Sequence, residues 1–274
     1  MGTDLSHDHV PVLDRFRLTD KVAVVTGAGK GIGAAIAVSL AEAGADVALV
    51  ARTESDLNEV ATAVRATGRR ALVFPADLND LSVLPVLLDQ IVAEFGGLDI
   101  VVNNAGGSPS YPFLETRVEH LEGSFHFNVS ATFELSRLAV PLLLERGGGS
   151  IINISSVAGT KTTRGGLVHG TLKAAVSHMT KMMAQDLAPR IRVNAVLPGA
   201  IETAALARLL GRLDPSVRDT MIERTPMRRN GAPDDIAPMV VYLASPAASW
   251  ITGKLYDIDG NASADLIPKA IPDL

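Results

Sequence analysis

The sequence predicts an α/β chain built as a doubly wound parallel sheet of about seven strands with helices on both faces. Two observations carry this. From Lys21 onward, short apolar runs rich in Val and Ile alternate with longer stretches whose apolar residues recur at helical spacing. A glycine cluster, Gly27, Gly29, Gly31 and Gly33, stands between the first such run and the first such stretch, where a tight strand-to-helix turn belongs.

The first strand is expected over 22–26. A helix follows, with Ile32, Ile36 and Leu40 on one stripe and Gly44 as its stop signal. The second strand, 47–51, leads to a helix over 55–66 that stops at Gly68. The third strand, 71–74, precedes a helix ending near Phe95, before Gly96 and Gly97. The fourth strand covers 100–103, and a Gly/Ser/Pro loop over 106–112 leads to a long helix over 118–145. Then come a fifth strand at 150–154, a helix over 172–187 and a sixth strand at 191–197. A helix around 235–244 and a seventh strand at 255–258 complete the pattern. The strands are nearly continuous apolar runs, as expected where both sheet faces are buried. No repeat, low-complexity linker or shift in composition divides the chain. One domain is expected over 19–274, after an N-terminal tail over 1–18.

Composition removes several function classes. Hydrophobic residues make up 47% of the 274, enough for a sizeable core. Cysteine is absent, which excludes thiolate catalysis, disulfides and cysteine-based zinc sites and fits a cytoplasmic location. The net charge is −5 and no long Lys/Arg cluster suggests a nucleic-acid groove. Arg69-Arg70 and Arg228-Arg229 read as solvated surface pairs. No apolar run reaches the roughly 18 residues of a membrane span. The polar start does not resemble a signal peptide. His7 and His9 are only two ligands, too few to close a metal site, so no metal is expected.

The turn reads Thr26-Gly27-Ala28-Gly29-Lys30-Gly31-Ile32-Gly33. Free amides and the dipole at the following helix start favour a pyrophosphate. Ile32 occupies the place of the third glycine in the common dinucleotide fingerprint, so the spacing is Gly-x-x-x-Gly-x-Gly. With this form the chain resembles the short-chain dehydrogenase/reductase family, classical type, and the resemblance spreads over nearly all of 21–260. Asn103-Asn104-Ala105-Gly106 is similar to the family motif that shapes the cofactor side of the cleft. Asp77-Leu78 resembles its adenine contact. Pro198-Gly199, with Ile201 and Thr203, resembles the segment that holds the nicotinamide carboxamide. The resemblance implies a Rossmann-like fold and NAD(P)-dependent interconversion of a carbonyl and a secondary alcohol by hydride transfer.

NAD-preferring enzymes usually end the second strand with an acid that bonds the ribose 2′-hydroxyl. Here the strand ends Leu49-Val50-Ala51-Arg52. Arg52 and Lys30 suit a 2′-phosphate, which favours NADP(H), with NAD(H) the alternative. The competing use of both cations is plain exposure on a loop.

The family's catalytic residues are Asn, Ser, Tyr and Lys. The resemblance assigns Asn128, Ser156 (with Ser155 its neighbour) and Lys173 to three of these positions. His169 stands four residues before Lys173, where the family has Tyr. Imidazole, with an ordinary pKa near 6.5, exchanges protons at neutral pH, and its neutral form still donates one N–H. Lys173 would disfavour imidazolium. Its Nε2 lies roughly 2 Å nearer the backbone than a phenol oxygen, so reach is short unless a water bridges the gap. Three readings follow: an oxidoreductase using His169 as proton relay, an impaired oxidoreductase, or a non-catalytic nucleotide-binding protein acting as sensor or partner module. The oxidoreductase readings are preferred because three catalytic positions and every cofactor motif are kept together.

The substrate pocket is expected from 107–114, 160–168 and the segment after Thr203. That segment carries Leu206, Leu209, Leu210, Met221 and Met227, an apolar lid or an ordinary amphipathic surface. An apolar ketone, secondary alcohol, acyl thioester or steroid-like molecule would suit it. The resemblance also implies a homotetramer or dimer. Phe125, Val129 and Phe133, with Val176, Met179 and Met183, are candidates for its interface or for core. The end, 266–274, would pack across a neighbouring subunit or fray.

Overall fold

Strand β1 (Val22–Thr26) is buried throughout, and its alternate residues feed two cores. In the computed structural model, which describes residues 10–162, 164–211 and 214–262, the remaining elements follow in chain order. They are α1 (Gly31–Glu42), β2 (Asp46–Ala51), α2 (Glu54–Ala66), β3 (Ala71–Pro75), α3 (Val83–Phe95) and β4 (Ile100–Asn103). Next come α4 (Val118–Phe125), α5 (Ala131–Glu145), β5 (Gly149–Ile154), α6 (Leu167–Leu187) and β6 (Ile191–Pro198). The last are α7 (Ala204–Leu210), α8 (Ser216–Arg224), α9 (Pro233–Ala244) and β7 (Leu255–Ile258). The expectations for His7, His9 and the end at 266–274 lie outside the described residues.

The seven strands form one sheet in the order β3-β2-β1-β4-β5-β6-β7, and every pairing is parallel. Period-two alternation sorts the side chains. Ala23 and Val25 meet Ile36 of α1, Leu57 of α2 and Ile236 of α9 on one face. Val22 and Val24 meet Leu84 of α3 and Leu135 of α5 on the other. Strand order reverses between β1 and β4, which opens a crevice at the carboxyl ends of these strands, where such sheets bind ligands.

Four expectations need correction. The tail does not reach residue 18: Val12–Phe16 forms a 3-10 turn, Phe16 stacks on Tyr242, and the N–H of buried Leu18 donates to Ala43 O at 2.7 Å. The long helix is not uniform, because His126–Ser130 winds as a π turn between α4 and α5. Helix α6 starts at Leu167, five residues before the expected 172. A Cβ on Gly170 would stand 2.9 Å from Ala158 O, so this glycine inside the first turn of the helix serves close packing. The arginine pairs are not simply solvated. Arg69 and Arg70 reach Asp46 at 2.8 and 2.7 Å, and Arg229 reaches Asp235.

Candidate active site

The glycine turn opens onto the crevice. Gly27 and Gly31 take φ of +65° and +58°, a region costly for other residues. A Cβ on Gly33 would stand 2.2 Å from Gly27 O, so only glycine lets α1 begin this close to the turn. Thr26 Oγ1 accepts from the amides of Asn104 and Ala105, both at 3.0 Å, and Asn104 Nδ2 donates to Thr26 O at 2.9 Å. These bonds lock the loop after β4 onto the loop after β1. Helix α1 begins after Lys30 with no side chain capping its first amides. Those donors, on a backbone pared to glycine, fit the pyrophosphate of a dinucleotide.

The flanking candidates are distributed around this turn. Thr203 faces it, since a Cβ on Gly31 would lie 3.1 Å from Thr203 Cγ2. Gly199 packs against Asp259 and its amide donates to Ile258 O, which fixes the segment after β6 beside β7. Ile201 is buried in the first core and its backbone bridges Gly231. Leu78 is buried, whereas exposed Asp77 accepts from the amide and Nδ2 of Asn79. These bonds, with the nearby charge of Arg52, hold its carboxyl below the usual range. Arg52 is exposed. Lys30 Nζ is 3.0 Å from Asp56 Oδ2, and Asp56 also borders Gly29. The sequence reading missed this acid because it comes from the first turn of α2 and not from the end of β2.

The catalytic candidates converge from three elements. Asn128 lies in the π turn, where its Oδ1 accepts from Gly107 N at 2.9 Å and its Nδ2 donates to Gly107 O at 2.8 Å. A Cβ on Gly106 would lie 2.8 Å from Asn128 Oδ1 and 3.2 Å from Lys173 Nζ, so this glycine leaves room for both. Lys173 is buried on α6, donates from Nζ to Ile154 O at 2.9 Å, and is pushed down to about 8 by burial. Ser155 is buried and bonded to Lys173 O and Ser177 Oγ, so its hydroxyl anchors α6. Ser156 accepts one bond, from Ala158 N at 3.1 Å, and keeps its proton available.

His169 sits one turn before Lys173 and is partly buried. Burial, reinforced by the charge of Lys173, pushes its imidazole down to about 4, so the ring is neutral at physiological pH. Its Nδ1 lies 3.2 Å from Ser108 Oγ. Ser108 lies within the expected pocket segment 107–114 but was not among the catalytic candidates, since a serine in a Gly/Ser/Pro loop carries no signal of its own.

Comparison with known proteins decides the family. A family model described as Enoyl-(Acyl carrier protein) reductase matches residues 27–262. A 7alpha-hydroxysteroid dehydrogenase of Escherichia coli is 37% identical over 92% of this chain and 98% of its own length. The chain belongs to the short-chain dehydrogenase/reductase family. An uncharacterized oxidoreductase of Mycobacterium tuberculosis is 50% identical over 96% of this short-chain dehydrogenase/reductase and 100% of its own length. The solved 7 alpha-hydroxysteroid dehydrogenase complexed with NADH and 7-oxo glycochenodeoxycholic acid superposes with a TM-score of 0.88 at 37% identity, covering 92% of this chain and 98% of that one. A gluconate 5-dehydrogenase candidate from Beutenbergia cavernae with bound NADP reaches a TM-score of 0.84 at 34% identity, covering 90% and 98%.

On the substrate side of this short-chain dehydrogenase/reductase, Phe113, Leu114 and Met227 are exposed, whereas Met221 is buried. The segment after Thr203 thus has an anchored residue and an open apolar one; the side chain of Leu209 lies outside the described residues. The interface candidates also divide. Phe125 and Phe133 are exposed, while Val129 and Val176 form a small core against which Met179 packs. Met183 packs in the second core. Among the described residues no acidic, histidine or cysteine cluster could hold a metal, and no helix is long and apolar enough to cross a membrane.

Proposed function

We propose that this chain interconverts a carbonyl and a secondary alcohol with a nicotinamide dinucleotide, NADP(H) ahead of NAD(H). In this reading His169 takes the place of the family tyrosine as proton donor and acceptor, with a relay impaired by its shorter reach. What supports the proposal is the run of contacts from the uncapped glycine turn through Asn104 and the neighbouring Gly106 to Lys173, with His169 one turn before it on α6 and Ser156 just after β5. When bound, the dinucleotide supplies the hydride. The amides of Gly31, Ile32 and Gly33 hold its pyrophosphate, and Asp77 and Leu78 border its adenine. Arg52 and Lys30 face a 2′-phosphate, and Pro198, Gly199, Ile201 and Thr203 border the nicotinamide. Ser156 Oγ holds the substrate oxygen. Lys173, fixed on Ile154 O, keeps a positive charge beside the reacting oxygen and adds to the burial that holds the imidazole neutral. Asn128 fixes the loop at Gly107.

An apolar ketone, steroid-like or cyclic, is the substrate class best supported, by the exposed Phe113, Leu114 and Met227 and by the steroid named for the 37% identical relative. Exposed Phe125 and Phe133 support a homo-oligomer, and we place this single catalytic domain in the cytoplasm. A non-catalytic nucleotide-binding protein is the second reading, favoured by the short reach of a ring that resists protonation. The test mixes protein with NADPH or NADH and a panel of steroid, cyclic and β-ketoacyl ketones, then with oxidised cofactor and the matching alcohols. Cofactor oxidation with at least one ketone is expected. Tight cofactor binding without turnover on either panel would favour the second reading.

A further inference from the structure

His169 poses a proton-balance problem that its own ring cannot solve. A neutral imidazole that gives up its one N–H becomes a strongly basic imidazolate, and a ring that starts as imidazolium is opposed by burial and by Lys173. Both states are avoided if one nitrogen gains a proton as the other loses one. That exchange needs a hydroxyl at Nδ1, and Ser108 Oγ is there at 3.2 Å.

Ser108 is held in place from both sides. Gly107 before it exchanges two hydrogen bonds with Asn128, and Ser110 after it donates from Oγ to Gly165 O at 2.7 Å. Ser108 itself is partly exposed, between exposed Gly107 and Pro109. The charge that acts on the ring is Lys173, from the same helix, and the loop side presents the uncharged Ser108.

We propose that Ser108 is the relay and positioning residue of this site, handing a proton to Nδ1 of His169 as Nε2 gives one to the substrate oxygen. This rests on His169 being the proton donor, as proposed above. In ketone reduction a bound reduced nicotinamide would supply the hydride to the carbonyl carbon, and the π electron pair would move to oxygen. The Nε2–H bond breaks and the alcohol O–H forms. At the other nitrogen the Ser108 O–H breaks and Nδ1–H forms, and Ser108 recovers its proton from water. The ring is neutral before and after, with its tautomer exchanged; it returns to the first tautomer by proton exchange with solvent before the next reduction, and alcohol oxidation starts from the second. A serine hydroxyl serves both directions because it donates and accepts.

Ser108→Ala and Ser108→Thr test this, with His169→Gln as the reference. Nitrogen NMR of histidine-labelled protein, without turnover, should show a neutral His169 ring from about pH 8 to about pH 5 with Nδ1 as a hydrogen-bonded acceptor. The acceptor signature should disappear in Ser108→Ala and return in Ser108→Thr. In ketone reduction Ser108→Ala should lower kcat about a hundredfold, with KM and cofactor affinity within about twofold, and Ser108→Thr should restore most of the loss. The residual rate of Ser108→Ala should climb about tenfold per pH unit as pH falls, since only imidazolium then carries a spare proton, whereas the unmodified protein stays flat. A wild-type rate in Ser108→Ala, or a flat profile not rescued by threonine, would overturn the relay alone. An unmodified protein that reduces no ketone, or a fully active His169→Gln, would overturn the reading beneath it.

Discussion

Replacing His169 with tyrosine should raise turnover. The structure leaves the short side chain no way to compensate by moving its backbone. The 3-10 turn Val157–Gly159 is clamped on α6: a Cβ on Gly159 would stand 2.6 Å from Lys173 C, and one on Gly170 would stand 2.9 Å from Ala158 O. The helix therefore cannot slide toward the substrate by the missing distance. An imidazole Nε2 falls roughly 2 Å short of a phenol oxygen, and misplacing a catalytic group by about 1 Å costs on the order of a hundredfold. A tyrosine hydroxyl should thus recover about a hundredfold or more in kcat, with Lys173 favouring its phenolate form. The assay is the initial rate of NADPH oxidation with ketones, alongside cofactor affinity by fluorescence, which should change less than about twofold. A folded, cofactor-binding His169→Tyr protein with no gain on any ketone would refute the assignment of this position.

Other perturbations read different parts of the site. Gly33→Ala places a Cβ 2.2 Å from Gly27 O, so it should abolish detectable dinucleotide binding and destabilise the fold by about 1–3 kcal/mol, read by calorimetry and urea unfolding. Asp56→Asn frees the Lys30 ammonium, which is 3.0 Å from that carboxylate, and should improve NADPH over NADH affinity by about threefold, measured by paired titrations. The imidazole of His169 is pushed from 6.5 down to about 4 on folding, so the unfolded chain binds more protons between these values and stability must rise with pH there. His169→Gln should lack this slope, which amounts to at most about 3 kcal/mol across the window, measured by urea unfolding at each pH.

The parts visible in the sequence are those set by local pattern. β1, β4 and β7 keep the bounds expected from their apolar runs, and for β1 and β4 those runs reflect burial on both faces. The glycine turn was legible because four glycines between strand and helix have few other uses. Features that depend on distant partners were not. The π turn at His126–Ser130 is tied to Gly107 through Asn128, a contact between residues 21 apart in the chain. Arg69 and Arg70 look solvated until β2 brings Asp46 beside them. A buried polar ladder escaped notice for the same reason. Asn103 Nδ2 donates to Ser136 Oγ and Asn153 Oδ1, and Asn153 Nδ2 donates to Thr180 Oγ1, joining β4, β5, α5 and α6 behind the site. The one available signal was an asparagine inside each of two apolar strands, IVVN and GSIINI. Ser108 acquires meaning only once His169 is placed 3.2 Å away.

Nicotinamide dinucleotide seated on the amides of Gly31, Ile32 and Gly33 underlies every functional statement made for this chain. Isothermal titration calorimetry of the folded protein with NADPH and NADH measures it without needing a substrate. Saturable one-to-one binding, tighter for NADPH and lost in Gly33→Ala, is the expected result. Heat of binding absent for both nucleotides, or binding that survives intact in Gly33→Ala, would contradict it.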